Sequence, residues 1–177
     1  MQPNWQPQLS NALVYLSPLQ ADDFEALYTV ASDPLIWEQH PNPDRYKREV
    51  FTNYFTGAME SGGALLIRDA TTHEVVGCSR FYDYLLEQHE VKIGYTFFSR
   101  ACWGKGINRA VKHLMIAHAL QYVSTIIFHV GANNHRSRKA MEKLGARFMG
   151  EEEVAYYGEV SRLNVVYAIR KQDWHLS

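Results

Sequence analysis

The chain has 177 residues, 46% of them apolar and 21% charged, with a formal net charge of −1. That length accommodates a single domain with a substantial core, and the composition excludes the disordered and fibrous classes. The balanced charge argues against bulk nucleic-acid binding, which shows a basic excess. No apolar run reaches the ~18–20 residues of a membrane-spanning helix.

The polar stretch Met1 to Ser10 has no basic segment followed by an apolar one, so no secretory signal is read there. Residues 1–10 read as a loose lead-in and residues 11–173 as the folded domain. Cys78 and Cys102 stand in no metal-ligand or redox spacing, which fits a reducing, cytoplasmic setting.

Ala12 to Leu16 reads as a first strand. Ser17-Pro18 then opens a helix, with Asp22, Asp23 and Glu25 near its positive end. Phe24, Leu27, Tyr28 and Ala31 recur at helical spacing, and Asp33-Pro34 ends the run. Leu35 to Pro43 is a structured loop, and a second helix is expected from Asp44 to Glu60, ending at Gly62-Gly63.

Ala64 to Asp69 and Glu74 to Tyr82 are β-prone runs joined by a hairpin turn, and Glu90 to Phe98 is a further strand. After a glycine loop come a helix from Ile107 to Tyr122, an apolar strand from Ile126 to Val130, and a helix from Asn134 to Leu144 with Gly145 just past its end. Strands at Arg147 to Val154 and Leu163 to Ile169 close the chain. The order strand–loop–helix–strand over 90–130 is a βαβ crossover, so its two strands should be parallel. The expected fold is α/β: one domain with a mixed, mostly antiparallel sheet, one parallel crossover and helices on both faces. Ligands in such sheets sit at the carboxyl ends of strands, which is where the glycine loop falls.

That loop is Trp103-Gly104-Lys105-Gly106-Ile107-Asn108-Arg109. Two glycines allow a tight turn and close backbone approach to a ligand. The helix that follows adds unpaired N–H donors and a positive dipole end, and Lys105 and Arg109 add charge. This describes a cradle for a di- or polyphosphate, although Gly-Lys-Gly also occurs in ordinary loops. It matches neither the Walker A pattern nor the dinucleotide fingerprint.

Four segments in this order resemble the GNAT superfamily of N-acetyltransferases, in particular its RimJ/RimL-like branch. Val91 to Phe98 looks like the family's fourth strand. Trp103-Gly104-Lys105-Gly106 fits both glycines of the acyl-CoA loop. Asn134-His135-Arg136-Ser137 resembles the family's Asn-x-x-Ser, and Met141 to Phe148 resembles the segment that ends this helix and begins the sixth strand. Ala101 stands where the family has Gln or Arg, and Asn108 stands where it has Gly or Ala. Asn108 could cap the helix or crowd the pyrophosphate.

The resemblance implies an acyl-CoA N-acyltransferase fold and acetyl-CoA as co-substrate, with direct attack of a primary amine on the thioester. The amine would be a protein N-terminus or a small molecule. It implies pantetheine contacts at Phe97, Phe98, Asn134 and Ser137, and pyrophosphate contacts at Trp103, Gly104, Lys105, Gly106, Ile107, Asn108 and Arg109. Ser137 falls on the inward line shared with Ala140, Met141 and Leu144, and the family places it near the coenzyme's thiol end. Glu90 and Glu152 (with Glu151 and Glu153) are candidate bases. Tyr95, Tyr156 and Tyr157 are candidate acids or cleft walls. Cys102 reads as a small buried residue rather than a nucleophile. The eight histidines form no metal constellation, and no metal, nucleic acid or membrane partner is expected. A homodimer is one open arrangement. The other open reading is a member of the same fold that binds acyl-CoA, or a partner, without turnover.

Overall fold

The computed structural model describes residues 2–155 and 158–174. They form one eight-stranded sheet and four α-helices. The strands are β1 (Leu9–Ser10), β2 (Val14–Pro18), β3 (Ala64–Asp69), β4 (Val75–Leu85), β5 (Glu90–Phe98), β6 (Thr125–Gly131), β7 (Arg147–Val154) and β8 (Arg162–Arg170). The helices are α1 (Phe24–Ala31), α2 (Arg48–Ser61), α3 (Ile107–Ala119) and α4 (His135–Lys143). The strand order is β1-β2-β3-β4-β5-β6-β8-β7. Every pairing is antiparallel except β5–β6, the predicted crossover.

Period-two alternation divides each strand between two cores. In β3, Leu65 and Ile67 enter one core together with Val111, Met115, Ile116 and Ala119 of α3 and Met141 of α4. Ala64 and Leu66 enter the other, with Leu27 and Ala31 of α1 and Phe51, Phe55 and Ala58 of α2. The two layers of helices therefore lie on opposite faces of the sheet. Val111, Met115 and Ala119 are fully buried at four-residue spacing on α3. Burial of a large apolar side chain is worth about 1.5–3 kcal/mol, so truncating Met115 to Ala should cost about 2–5 kcal/mol.

Later elements differ by a few residues at their ends, α3 stopping at Ala119 and β4 running on to Leu85, and three larger departures from the sequence expectation lie before β3. Ser17 and Pro18 do not open a helix. They end β2, with Pro18 opposite Leu65. The reciprocal cap is instead Gln20 with Asp23, where the Gln20 N–H donates to Asp23 Oδ2 at 2.8 Å, and α1 begins at Phe24 after a 3-10 turn. Pro43–Tyr46 is also 3-10, and extended Lys47 separates it from α2. The lead-in is tied down: the Trp5 ring packs at an angle against Phe81, Tyr84 and Tyr122, with centroids at 5.2, 5.2 and 5.9 Å, the Asn4 carbonyl meets His118 Nε2 at 2.6 Å, and Leu9–Ser10 pairs with β2.

Candidate active site

β5 and β6 pair only over Glu90–Lys92 and Thr125–Ile127. Beyond that the strands part, and a cleft of about 680 Å³ opens between Ile93–Phe98 on one side and Phe128–Val130 on the other. A bulge shapes the β5 wall. Cys78 pairs with Phe97 and Arg80 with Gly94, so Ser79 faces both Tyr95 and Thr96. An extra residue of this kind leaves backbone groups outside the ladder. Tyr95 takes φ +54° there, an uncommon conformation for a non-glycine residue. The Tyr54 hydroxyl holds it by donating to the Tyr95 carbonyl at 2.6 Å, and the Arg80 guanidinium lies 3.8 Å from the Tyr95 ring centre.

The glycine loop closes one end of the cleft. Gly104 and Gly106 have φ of +74° and +77°, a region that costs an L-residue roughly 1–2 kcal/mol. Gly106 is the N-cap of α3, and no side chain caps the helix among the described residues. The first-turn N–H groups therefore face the cleft without an intrahelical acceptor. Asn108 does not cap α3. It lies in the first turn, its Oδ1 is buried, and it has no hydrogen-bond partner among the described residues.

α4 supplies the facing wall. Asn134 Oδ1 accepts from the Ser137 N–H at 3.2 Å, fixing the start of the helix. Ser137, Ala140, Met141 and Leu144 all line the cleft, as their spacing predicts. The Ser137 hydroxyl forms no hydrogen bond among the described residues, so it is not tied back to its own helix. Arg136, Lys139 and Lys143 of α4 join Arg109 of α3 around the cleft. The Arg136 guanidinium lies 3.7 Å from the Trp103 ring centre and donates to the Ile36 carbonyl at 3.2 Å.

On the face away from α3, the segment between α1 and α2 roofs the cleft with Ile36, Trp37, His40 and Arg45. Arg45 is held in two-pronged fashion by Glu159, at 2.6 and 2.8 Å, with side-chain exposures of only 2% and 7%. That ion pair ties the β7–β8 connection to the roof. Burial and the Arg45 cation hold His40 well below the ordinary histidine range.

Two titratable groups in the walls lack a conventional environment. Lys112 of α3 is 4% exposed. Its Nζ donates to Thr96 Oγ1 at 2.6 Å and lies 3.4 Å from Ser79 Oγ. Burial alone takes its pKa from 10.5 to about 7. His129 of β6 lies with its Nε2 3.4 Å from Glu152 Oε2, while its Nδ1 is buried without a partner among the described residues.

The structure thus gathers Phe97, Phe98, Trp103, Gly104, Gly106, Ile107, Asn108, Arg109, Asn134 and Ser137 around one cleft. Lys105 is exposed on the loop and is not in the cleft wall. Glu90 lies at the opposite end of β5, in the paired segment, and is not brought to the cleft. Its carboxyl is raised by burial and drawn back by Lys92. Glu152 is not in the cleft wall but meets His129, which is. Cys102 is half-buried, and burial raises its thiol, the reverse of an activated nucleophile. Tyr156 and Tyr157 lie outside the described residues.

Sequence reasoning missed His129, Lys112, Arg45 and the α4 cations. Two of these had a signal. Arg136, Lys139 and Lys143 recur at helical spacing, and His129 alternates with Phe128 and Val130 in an otherwise apolar strand.

The family model described as "Acetyltransferase (GNAT) domain" matches residues 14–147. The chain belongs to this family. Among solved structures, Mycobacterium smegmatis RimJ in complex with CoA-disulfide is similar, with a TM-score of 0.79 and 18% identity over 100% of this chain and 93% of that one. An acetyltransferase (GNAT family) from Bacillus anthracis gives 0.75 and 20% identity, over 94% and 99%. The microcin C7 self-immunity acetyltransferase MccE, in complex with acetyl-CoA and AMP, gives 0.71 and 15% identity, over 90% and 93%. At these identities the likeness is one of fold. No curated protein matches the chain in sequence.

Proposed function

We propose that this protein transfers the acetyl group of acetyl-CoA to a primary amine, preferentially an α-amine, by direct attack on the thioester. The observation that carries the reading is the continuous cleft from the uncapped N-terminus of α3 to the bulge in β5. The pyrophosphate would rest on the first-turn N–H groups, where a helix end contributes ~0.3–1 kcal/mol, or up to ~2 when partly buried. Arg109, Arg136, Lys139 and Lys143 add the remaining charge. The pantetheine arm would follow β5 past Phe98 and Phe97, with Asn134 and Ser137 opposite. The thioester carbonyl would meet backbone N–H groups at the Tyr95–Thr96 bulge, which polarise it as charge develops. That MccE is found in complex with acetyl-CoA, and RimJ with CoA-disulfide, supports this choice of co-substrate.

The preference for an α-amine follows from proton affinity. An α-amino group has a pKa of ~7.7–8.0 and a lysine ~10.4. At neutral pH roughly a tenth of the former is already neutral, against well under a thousandth of the latter. The test is CoA release with peptides that each carry one lysine, with free or blocked N-termini. Acetylation of the free N-terminus is expected. Equal acetylation of the blocked peptide would show that lysine is accepted. Stoichiometric acetyl-CoA binding without CoA release from any amine would mean binding without turnover.

A further inference from the structure

An acceptor amine arrives at neutral pH mostly as an ammonium and must lose a proton before its nitrogen can attack. The face of the sheet away from α3 holds a group suited to take it. Phe128 and Val130 enter the core beneath α3, so His129 between them points to the opposite face. That face is roofed by the α1–α2 connection. Gly131, two residues on, lies on the same face, and Pro41 crosses it so closely that a Cβ there would stand 2.5 Å from Pro41 Cδ.

His129 lines the cleft with a side chain only 4% exposed. Its two ring nitrogens are in different situations. Nε2 meets the Glu152 carboxylate from β7 at 3.4 Å. Nδ1 is buried and has no hydrogen-bond partner among the described residues. Buried polar atoms are nearly always satisfied, so an unpartnered ring nitrogen in a cleft wall is a place where a ligand can supply the missing partner. A carboxylate at one nitrogen keeps the proton there and leaves the lone pair on the other.

We propose that His129, oriented by Glu152, is the base that accepts the proton of the acceptor ammonium at Nδ1. The proposal rests on the transferase reading above. The ammonium gives one proton to Nδ1, and its freed nitrogen then forms the new C–N bond as the thioester C–S bond breaks. The second N–H proton leaves with the CoA sulfur, giving the thiol. The imidazolium, paired with the Glu152 carboxylate while it exists, returns its proton to solvent. Acetyl-CoA and one ammonium thus become an amide, CoA and one proton.

The charged groups around the ring suit this task. Burial is the main effect holding His129 below the ordinary histidine range, and Lys92 of β5 adds to it. Glu152, and Asp83 at the end of β4, act in the opposite direction. Lys92 is itself paired with Asp83 at 2.9 Å. In the roof, His40 and Arg45 lie 3.2 Å apart and Arg45 is held by Glu159. His129 is therefore neutral at neutral pH, the form that can accept a proton. Glu152 acts as a positioning residue. Its own carboxylate is 60% exposed and stands outside the cleft wall.

The test compares wild type, His129→Gln and Glu152→Gln in CoA release with acetyl-CoA and free-N-terminus peptides, alongside acetyl-CoA-induced thermal shifts. His129→Gln is expected to keep the thermal shift and lose roughly 10²–10⁴-fold in kcat, the usual worth of a positioned base. Its rate should then follow the acceptor amine's own titration, without the lower limb set by His129 in wild type. Glu152→Gln should lower kcat less, leave KM for acetyl-CoA unchanged, and move the His129 limb to lower pH. His129→Asn repeats the measurement if His129→Gln fails to fold. Wild-type turnover with unchanged kcat in the His129 variants overturns this proposal alone. Absence of turnover in wild type with every acceptor overturns the transferase reading and the proposal with it.

Discussion

Replacing Lys112 by Met should stabilise the protein at neutral pH, and the gain should shrink as pH rises. Lys112 is buried against two hydroxyls and no carboxylate pairs with it among the described residues. Its pKa falls from 10.5 to about 7 because burial penalises the charged form. At 1.36 kcal/mol per pKa unit, the ammonium costs the fold up to about 5 kcal/mol when both folded and unfolded chains are protonated. That full cost applies below pH ~7. Between pH ~7 and ~10.5 the unfolded chain still binds the proton and the folded chain does not, so stability rises with pH.

Methionine keeps the length of the side chain without the charge, and Thr96 and Ser79 remain bonded to each other at 2.8 Å. Urea unfolding at pH 6.5 should therefore show the variant about 2–5 kcal/mol more stable than wild type. By pH 9 the difference should fall toward ~2 kcal/mol or less. In a chain of this length each kcal/mol moves Tm by roughly 2–4 °C. A variant less stable than wild type at pH 6.5, or a difference that does not change with pH, would refute the reasoning.

Acetyl-CoA at ~100 times its Kd should add ~2.7 kcal/mol of stability, and Gly104→Val and Gly106→Val should each abolish that thermal shift. The added branches would enter the space the phosphates need, in a backbone conformation that side chains disfavour. Normal binding by both variants would put the cradle elsewhere. Glu159→Gln removes the charge from a buried two-pronged ion pair and should destabilise the fold by up to about 3–5 kcal/mol, with the other contacts of Arg45 setting how much of that is felt. A loss under ~1 kcal/mol, measured by urea unfolding, would show that Arg45 finds other compensation.

What the sequence determined by itself was local in origin. The alternation in β3, β5 and β6, the helical spacing in α3 and α4, and the glycines before α3 all depend on residues within a few positions of one another. They were enough to recover the order of elements from β3 onward and the parallel crossover. Phe97, Phe98 and Asn134 were expected at the site through the family resemblance, and the fold brings them to the same cleft as the glycine loop. Errors arose where two local signals competed. Pro18 suits the first turn of a helix as well as the end of a strand, and only pairing with Leu65 of β3 decided between them.

The tertiary structure decided what depends on distant residues meeting. Burial of Lys112 requires β4, β5 and α3 to close around it, so neither its unusual proton affinity nor its contact with Thr96 has a trace in its neighbours along the chain. Arg45 and Glu159 are 114 positions apart. His129 looks like an isolated polar residue in an apolar strand until β8, which pairs with both β6 and β7, brings Glu152 within reach of it. Glu90 and Glu152 are equally good bases on paper. Their difference is one of position in the sheet, because Glu90 lies where β5 and β6 are still paired, while Glu152 stands beside the histidine where the cleft has opened.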